Sequence, residues 1–320
     1  MTPQPAEVSS PHRDDFGFAA EIDVPIPYMQ RTRDYYQALG YGAAYRWANY
    51  ADVPFQPLAK PLAECRVALV TTAAPYRPGK GDQGPGAYNA AAKFYRVYSG
   101  DASGDPDLRT AHVAVDRKHS TAGDQRTYFP LKALRDAASA GRIGSVAPRF
   151  HGLPTNRSHR TTLGVDCPEL LTRCLDDAVD AAILVPNCPV CHQSVSLAAR
   201  LLEANGIATV IMGCAKDIVE HVGVPRFLFS DFPLGNAAGK PNDAASQAQT
   251  LELALSLLER APAARTTLQS PLVWSGDPAW KLDYTNAARM SADEIERQRA
   301  DYDRERLIAK AMRAELGVDR

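Results

Sequence analysis

The chain has 320 residues, 45% of them hydrophobic and 23% charged, with a formal net charge of −1 at pH 7. This is the composition of a globular protein with a sizeable core, and its interleaved, near-neutral charge carries no footprint for nucleic acid. No apolar run reaches bilayer length, the start of the chain lacks the pattern of a secretory signal, and six cysteines in so long a chain argue for reduced thiols. A cytoplasmic protein with no membrane and no nucleic-acid partner is therefore expected.

Residues 1–16 are polar and are expected to form a disordered tail. Residues 17–60 are expected to be helical, then extended. Tyr28, Arg31, Arg33, Tyr35, Tyr36, Tyr41, Tyr45, Arg46 and Trp47 suggest a helix that packs its aromatics on the core and exposes its arginines, and Pro54, Pro57 and Pro61 an extended linker. An α/β unit is expected over 61–262. Arg66–Thr72 reads as a buried strand. Gly79–Gly86 is a glycine-rich loop without the spacing of a phosphate-binding loop. A long polar stretch, 101–130, carries His112, Asp116 and Asp124 as candidates for substrate contacts, because polar excursions of this length are often functional.

Leu131–Ala140 reads as a helix closed by Gly141 in the left-handed region, with an extended segment starting at Ile143. Asp166 and Glu169 have the spacing of a capping box, and the following stripe of Leu170, Leu171, Cys174 and Ala178 puts Cys174 in the core. Strand 181–186, a helix to Asn205-Gly206, strand 207–212, a short helix to Gly223, strand 226–229 and helix 243–260 then alternate. This order predicts a doubly wound parallel sheet in a three-layer αβα arrangement, Rossmann-like or flavodoxin-like. Residues 263–320 are expected to be an irregular segment with Trp274 and Trp280 packed on the body, then a charged helix from Ser291, capped by Glu294, to about Leu316. Its thin apolar stripe suggests either a helix lying on a neighbour such as a second copy of the chain or a solvated surface helix.

The chemistry concentrates at Pro186–Gln193, where strand 181–186 turns into a helix. Ligands of parallel α/β sheets bind outside the carboxyl ends of strands, and a helix N-terminus favours thiolate over thiol. Cys188 and Cys191 are spaced to form a redox dithiol, with Cys188 at the cap position as nucleophile and Cys191, already in the first turn, as resolver. His192, four residues after Cys188, can share its side of the turn and, protonated, favour its thiolate. Cys214 follows strand 207–212 and reaches the same end of the sheet if the two strands are neighbours. An alternative keeps the same groups as a metal site of Cys188, Cys191, His192 and Cys214 in a larger assembly, although no second C-x-x-C or H-x-x-x-H pattern exists. The sequence also fits C-x-x-C-H literally, but without an export signal and with the motif between strand and helix, c-type haem is not expected.

Asn187–Val195 (Asn-Cys-Pro-Val-Cys-His-Gln-Ser-Val) resembles the redox motif of the B-subunit, or selenoprotein B, family of glycine, sarcosine, betaine and D-proline reductases. Asp124–Arg135, Gly141–Gly144, Asn205–Val210, Phe232–Asn236, Arg66–Thr72 and Arg31–Tyr36 support the resemblance in order along the chain. It implies a thiol-dependent oxidoreductase that reductively cleaves a C–N bond of a small substrate alongside a partner subunit. Cys188 stands where selenium-containing members carry selenocysteine, Cys191 matches the next motif position, and Ser194 stands where some members have a third cysteine. Ser194 and Cys214 join the candidates for substrate contact. No dinucleotide fingerprint is present, so no bound cofactor is expected, and a thioredoxin-like dithiol is the expected reductant.

Overall fold

The computed structural model describes residues 24–82 and 84–317; the expected tail over 1–16 lies outside the described residues. Helix α1 (Tyr28–Ala38) opens the described chain, and strand β1 (Arg66–Thr71) follows an extended strap. Short strands β2 (Ala74–Pro75) and β3 (Tyr98–Asp101) lead up to the polar excursion, and β4 (Leu108–Arg109) lies in it. Next come helix α2 (Leu131–Ser139), strands β5 (Ser145–Val146) and β6 (Arg149–Gly152), and helices α3 (His159–Thr161) and α4 (Cys167–Asp176), joined by a π-helical turn over Thr162–Asp166. Alternation then becomes strict: β7 (Ala181–Val185), α5 (Pro189–Ala204), β8 (Ala208–Gly213), α6 (Lys216–Val222), β9 (Arg226–Phe229), α7 (Ala244–Arg260) and β10 (Thr266–Gln269). Helices α8 (Trp280–Asp283) and α9 (Ala292–Glu315) complete the chain.

The main sheet has the order β10-β9-β8-β7-β1-β6-β3, with β5 also paired to β1. All its pairings are parallel except that of β3 with β6. Strands buried on both faces should read as unbroken apolar runs, and β7 does: Ala181, Ile183 and Val185 enter the core on one face, Ala182 and Leu184 that on the other. Leu134 of α2 and Leu251, Ala254 and Leu258 of α7 pack on the first face, and Leu170 and Cys174 of α4 with Val195 and Leu202 of α5 on the second. This is the three-layer αβα arrangement expected from the strand–helix order. Among the described residues no helix is long and apolar enough to cross a membrane.

Several local expectations change. Asp166 is helical and caps nothing; the helical stretch starts earlier, where the Ser158 hydroxyl accepts from the Thr161 N–H, and Asp166 instead accepts from Asn156 Nδ2 at 2.8 Å. Arg31 is half-buried, donating to the carbonyls of Tyr284 and Lys281 at 2.6 and 3.2 Å. The segment expected to be irregular from 263 onward begins with an edge strand, β10, paired to β9.

Helix α5 is buried almost all round. Its polar stripe, Gln193, Ser196, Arg200 and Glu203, is covered by strap residues 45–56. The Gln193 amide oxygen accepts from the Ala48 N–H at 2.6 Å, Arg200 donates to the Asp52 carbonyl at 2.8 Å, and Glu203 accepts from the Gln56 N–H. Glu203 also pairs with the buried Arg226 at 2.8 Å. Buried polar groups stay only where they are hydrogen-bonded, so the strap supplies what the sheet side of the helix cannot.

Candidate active site

The neighbours of β1 reveal the site's position. After β1 the chain builds β5 and β6 on one side, then crosses to β7 on the other. Such a reversal opens a crevice at the carboxyl ends of the strands. Into it run the loop after β6, with Thr155, Asn156 and Arg157, and the turn after β7, with Cys188. The Asn187 N–H donates to Thr72 Oγ1 at 2.9 Å, fastening the turn to the end of β1.

Cys188 is the N-cap of α5, in an extended conformation, and Pro189 fills the next position, where a missing N–H costs nothing. The cap bond is made by sulfur: the Cys191 N–H donates to Cys188 Sγ at 3.3 Å. The two sulfurs lie 2.7 Å apart. Cys191 Sγ also contacts Thr155 Oγ1 at 3.1 Å and His112 Nε2 at 3.7 Å. His112 comes from the polar excursion, whose loop is held by Arg117 Nη1 on the His112 carbonyl at 3.0 Å and by the Tyr284 hydroxyl on the Ala114 carbonyl at 2.7 Å.

Cys188 is 5% exposed and lines a cavity of about 560 Å³; Cys191 is 0% exposed and sits beneath it. His112, Thr155, Asn156 and Arg157 share the lining, and α9 roofs it with Tyr302, Arg306 and Lys310 among others. Arg157 donates to the hydroxyls of Tyr302 and Tyr36 at 2.8 and 2.9 Å. The final helix thus lays one side on its own chain and leaves most of its length exposed.

The charge distribution puts the resting thiolate on Cys191, where Cys188 at the helix cap was expected to hold it. Burial pushes the Cys188 thiol well up, and its hydrogen bond to Cys191 adds to this. Burial acts in the same sense on Cys191, but the Cys188 thiol, the His112 imidazole and the Thr155 hydroxyl overcome it and hold Cys191 well below the ordinary thiol range. The pair is best described as a Cys188 thiol donating to a Cys191 thiolate.

His192 does not serve the sulfurs. Its buried ring donates from Nδ1 to the Cys188 carbonyl at 2.8 Å and accepts at Nε2 from the Cys214 and Ala215 N–H groups at 3.0 and 3.2 Å. Those bonds fix the neutral tautomer, and burial pushes the ring down to about 4. A protonated His192 beside Cys188 is therefore replaced by a neutral ring that ties the cysteine turn to the end of β8. Gly213 makes room for it, since a Cβ there would stand 2.9 Å from the ring.

Cys214 is at the expected edge of the sheet but on the other face: it joins the core on the α2 and α7 side, and burial pushes its thiol up to about 12. Ser194 donates to the Val190 carbonyl at 3.2 Å within α5. Asp116 accepts from the Lys118 and His119 N–H groups at 3.1 Å and pairs with the His119 ring. Asp124 accepts from Arg126, Asn242 and Gln247, joining the excursion to the start of α7. Of the expected substrate contacts, only His112 lines the cavity at the thiols. Thr155 and Arg157 escaped the sequence reading because β6, which positions them, is only four residues long.

No family model and no solved structure matches the chain. The D-proline reductase subunit gamma of Acetoanaerobium sticklandii is 30% identical over 217 residues, 67% of this chain and 87% of that protein. The glycine reductase complex component B subunit gamma of Symbiobacterium thermophilum is 25% identical over 211 residues, 63% of this chain and 48% of that protein, so the chain spans about half the length of this second relative. With that likeness, the chain belongs to the reductase B-subunit family that includes these two proteins.

Proposed function

We propose that the protein is the thiol-bearing component of a cytoplasmic reductase that cleaves a C–N or related C–heteroatom bond of a small substrate. It would work with partner subunits and be re-reduced by a thioredoxin-like dithiol. The observation that carries this reading is the pair of sulfurs 2.7 Å apart at the floor of a cavity, in a chain whose relatives are named as reductase subunits.

The proposed steps use both sulfurs. Cys188, which faces the cavity, passes its proton to Cys191 and attacks the substrate carbon; the nitrogen leaves with the bonding pair and takes up a proton. Cys191, its proton relayed to His112, then attacks Cys188 Sγ. The carbon departs with the C–S pair and is protonated, leaving a disulfide. The substrate gains two electrons and two protons, and the external dithiol restores both thiols.

The test is turnover of the protein with its native partner subunits on D-proline, glycine, sarcosine and betaine, with the reductant withheld. A Cys188–Cys191 disulfide should accumulate one-for-one with cleaved product, and Cys191→Ser should stop at an adduct on Cys188. Product formation with both thiols still free overturns the reading.

A further inference from the structure

The excursion brings a third soft donor to the thiols. Cys188 Sγ, Cys191 Sγ and His112 Nε2 all lie within 4.8 Å of one another. We propose that the reduced pair and His112 form a zinc site, with these three atoms as ligands and the fourth position open to the cavity.

The donor set is one that zinc uses where it keeps an exchangeable position: two thiolates and an imidazole. Zinc binds sulfur at about 2.3 Å and nitrogen at about 2.0 Å, so tetrahedral ligands stand about 3.5–3.8 Å apart. The His112–Cys191 separation, 3.7 Å, already fits. The sulfurs, at 2.7 Å, must part by about 1 Å, and Cys188 has the cavity to move into. The Cys191 N–H on Cys188 and the Thr155 hydroxyl on Cys191 remain as supports for the two thiolates.

The ligand set differs from the one the sequence suggests. Both nitrogens of His192 are committed to backbone groups, and Cys214 is on the other face of the sheet. Ligating histidines usually hand their second N–H to a partner, and His112 Nδ1 is buried without one among the described residues. These features describe a reversible site.

This inference does not rest on bond cleavage. Zinc and the disulfide exclude each other, so the metal would hold the pair reduced and out of turnover until removed. The test is an anaerobic titration of reduced, metal-free full chain with Co²⁺, followed by Zn²⁺. One Co²⁺ per chain should give a sulfur-to-cobalt charge-transfer band with the intense ligand-field bands of a tetrahedral site, and Zn²⁺ should abolish both. His112→Ala should weaken binding about tenfold or more, and Cys214→Ala should leave it unchanged. Wild-type protein oxidised to the Cys188–Cys191 disulfide is the control that needs no substitution, and should show no bands. A reduced protein without the charge-transfer band, or bands that persist in the oxidised protein, overturns the proposal. Neither result bears on disulfide formation during turnover, which is read separately by mass spectrometry.

Discussion

His112 Nε2 and Cys191 Sγ stand 3.7 Å apart although 79 residues separate them in the chain. The imidazole is among the groups that hold Cys191 below the usual thiol range, so His112→Ala should raise the apparent pKa of the first thiol to ionise. Labelling on the acid side of that pKa, where the thiolate is the minor form, should slow severalfold. Alkylation rate against pH, in metal-free protein with the label located by mass spectrometry, gives the answer. An unchanged profile would leave the Cys188 and Thr155 hydrogen bonds as the whole support.

The two single cysteine variants should differ. Cys188→Ser keeps a hydroxyl donor, His112 and Thr155 around Cys191 and should retain a thiol that ionises below the ordinary range. Cys191→Ser leaves Cys188 as a buried thiol, ionising above the usual value near 8.5. The opposite order would return the resting thiolate to the helix cap.

Helix α9 should act as a removable roof. Only Met312 along it is buried, while Tyr302 packs on Tyr36 and Tyr41 of the same chain at centroid distances of 5.5 and 4.9 Å. Truncation after Ala288 should leave cooperative thermal unfolding and speed alkylation of Cys188 severalfold. Loss of the unfolding transition would show that α9 is part of the core.

Gly213→Ala should destabilise the protein by about 1–3 kcal/mol, because the added methyl meets the His192 ring in a packed interior. Urea unfolding measures the loss. A variant as stable as wild type would show that the ring can retreat without cost.

The pH dependence of stability contains two opposed contributions. Burial pushes His151 down to about 4 from 6.5, so between those values the unfolded chain binds more protons and stability rises with pH. Burial pushes Asp166 up to about 6 from 3.8, so in that window the folded chain binds more protons and stability falls as pH rises. Each contributes at most about 1.4 kcal/mol per pH unit. Relative to wild type, His151→Gln should tilt the profile towards acid stability between pH 4 and 6, and Asp166→Asn should tilt it the other way. Denaturant midpoints across this range decide it; parallel profiles for all three proteins would contradict both assignments.

The sheet was legible because its strands are apolar throughout and its helices carry clear stops: Gly141, Gly206 and Gly223 all have positive φ. The cysteine cap was legible for the same local reason, a strand followed by Asn-Cys-Pro. His112 was legible only as a polar residue in a long excursion, since nothing local says where such a loop returns. Cys214 contained a usable signal. Ala208, Val210, Met212 and Cys214 alternate in phase and enter one core together, opposite the face on which Val195 and Leu202 of α5 pack. Applying period two through the strand end would have separated it from the other thiols. The polar stripe on α5 misleads for a different reason: a helix with Gln193, Arg200 and Glu203 on one side reads as solvent-facing, and only the strap, far off in sequence, buries it.

That strap has a consequence for how the protein can be divided. A fragment cut to begin at the first strand would keep both cysteines, the whole central sheet and every helix around it except α1. It would nevertheless take from Gln193, Arg200 and Glu203 the partners that the strap supplies along the helix that carries the thiols, and uncover the Arg226–Glu203 pair. Reactivity in such a fragment would report a loosened helix, so the smallest unit that preserves the chemistry starts upstream of Tyr45, in the stretch that precedes the first strand.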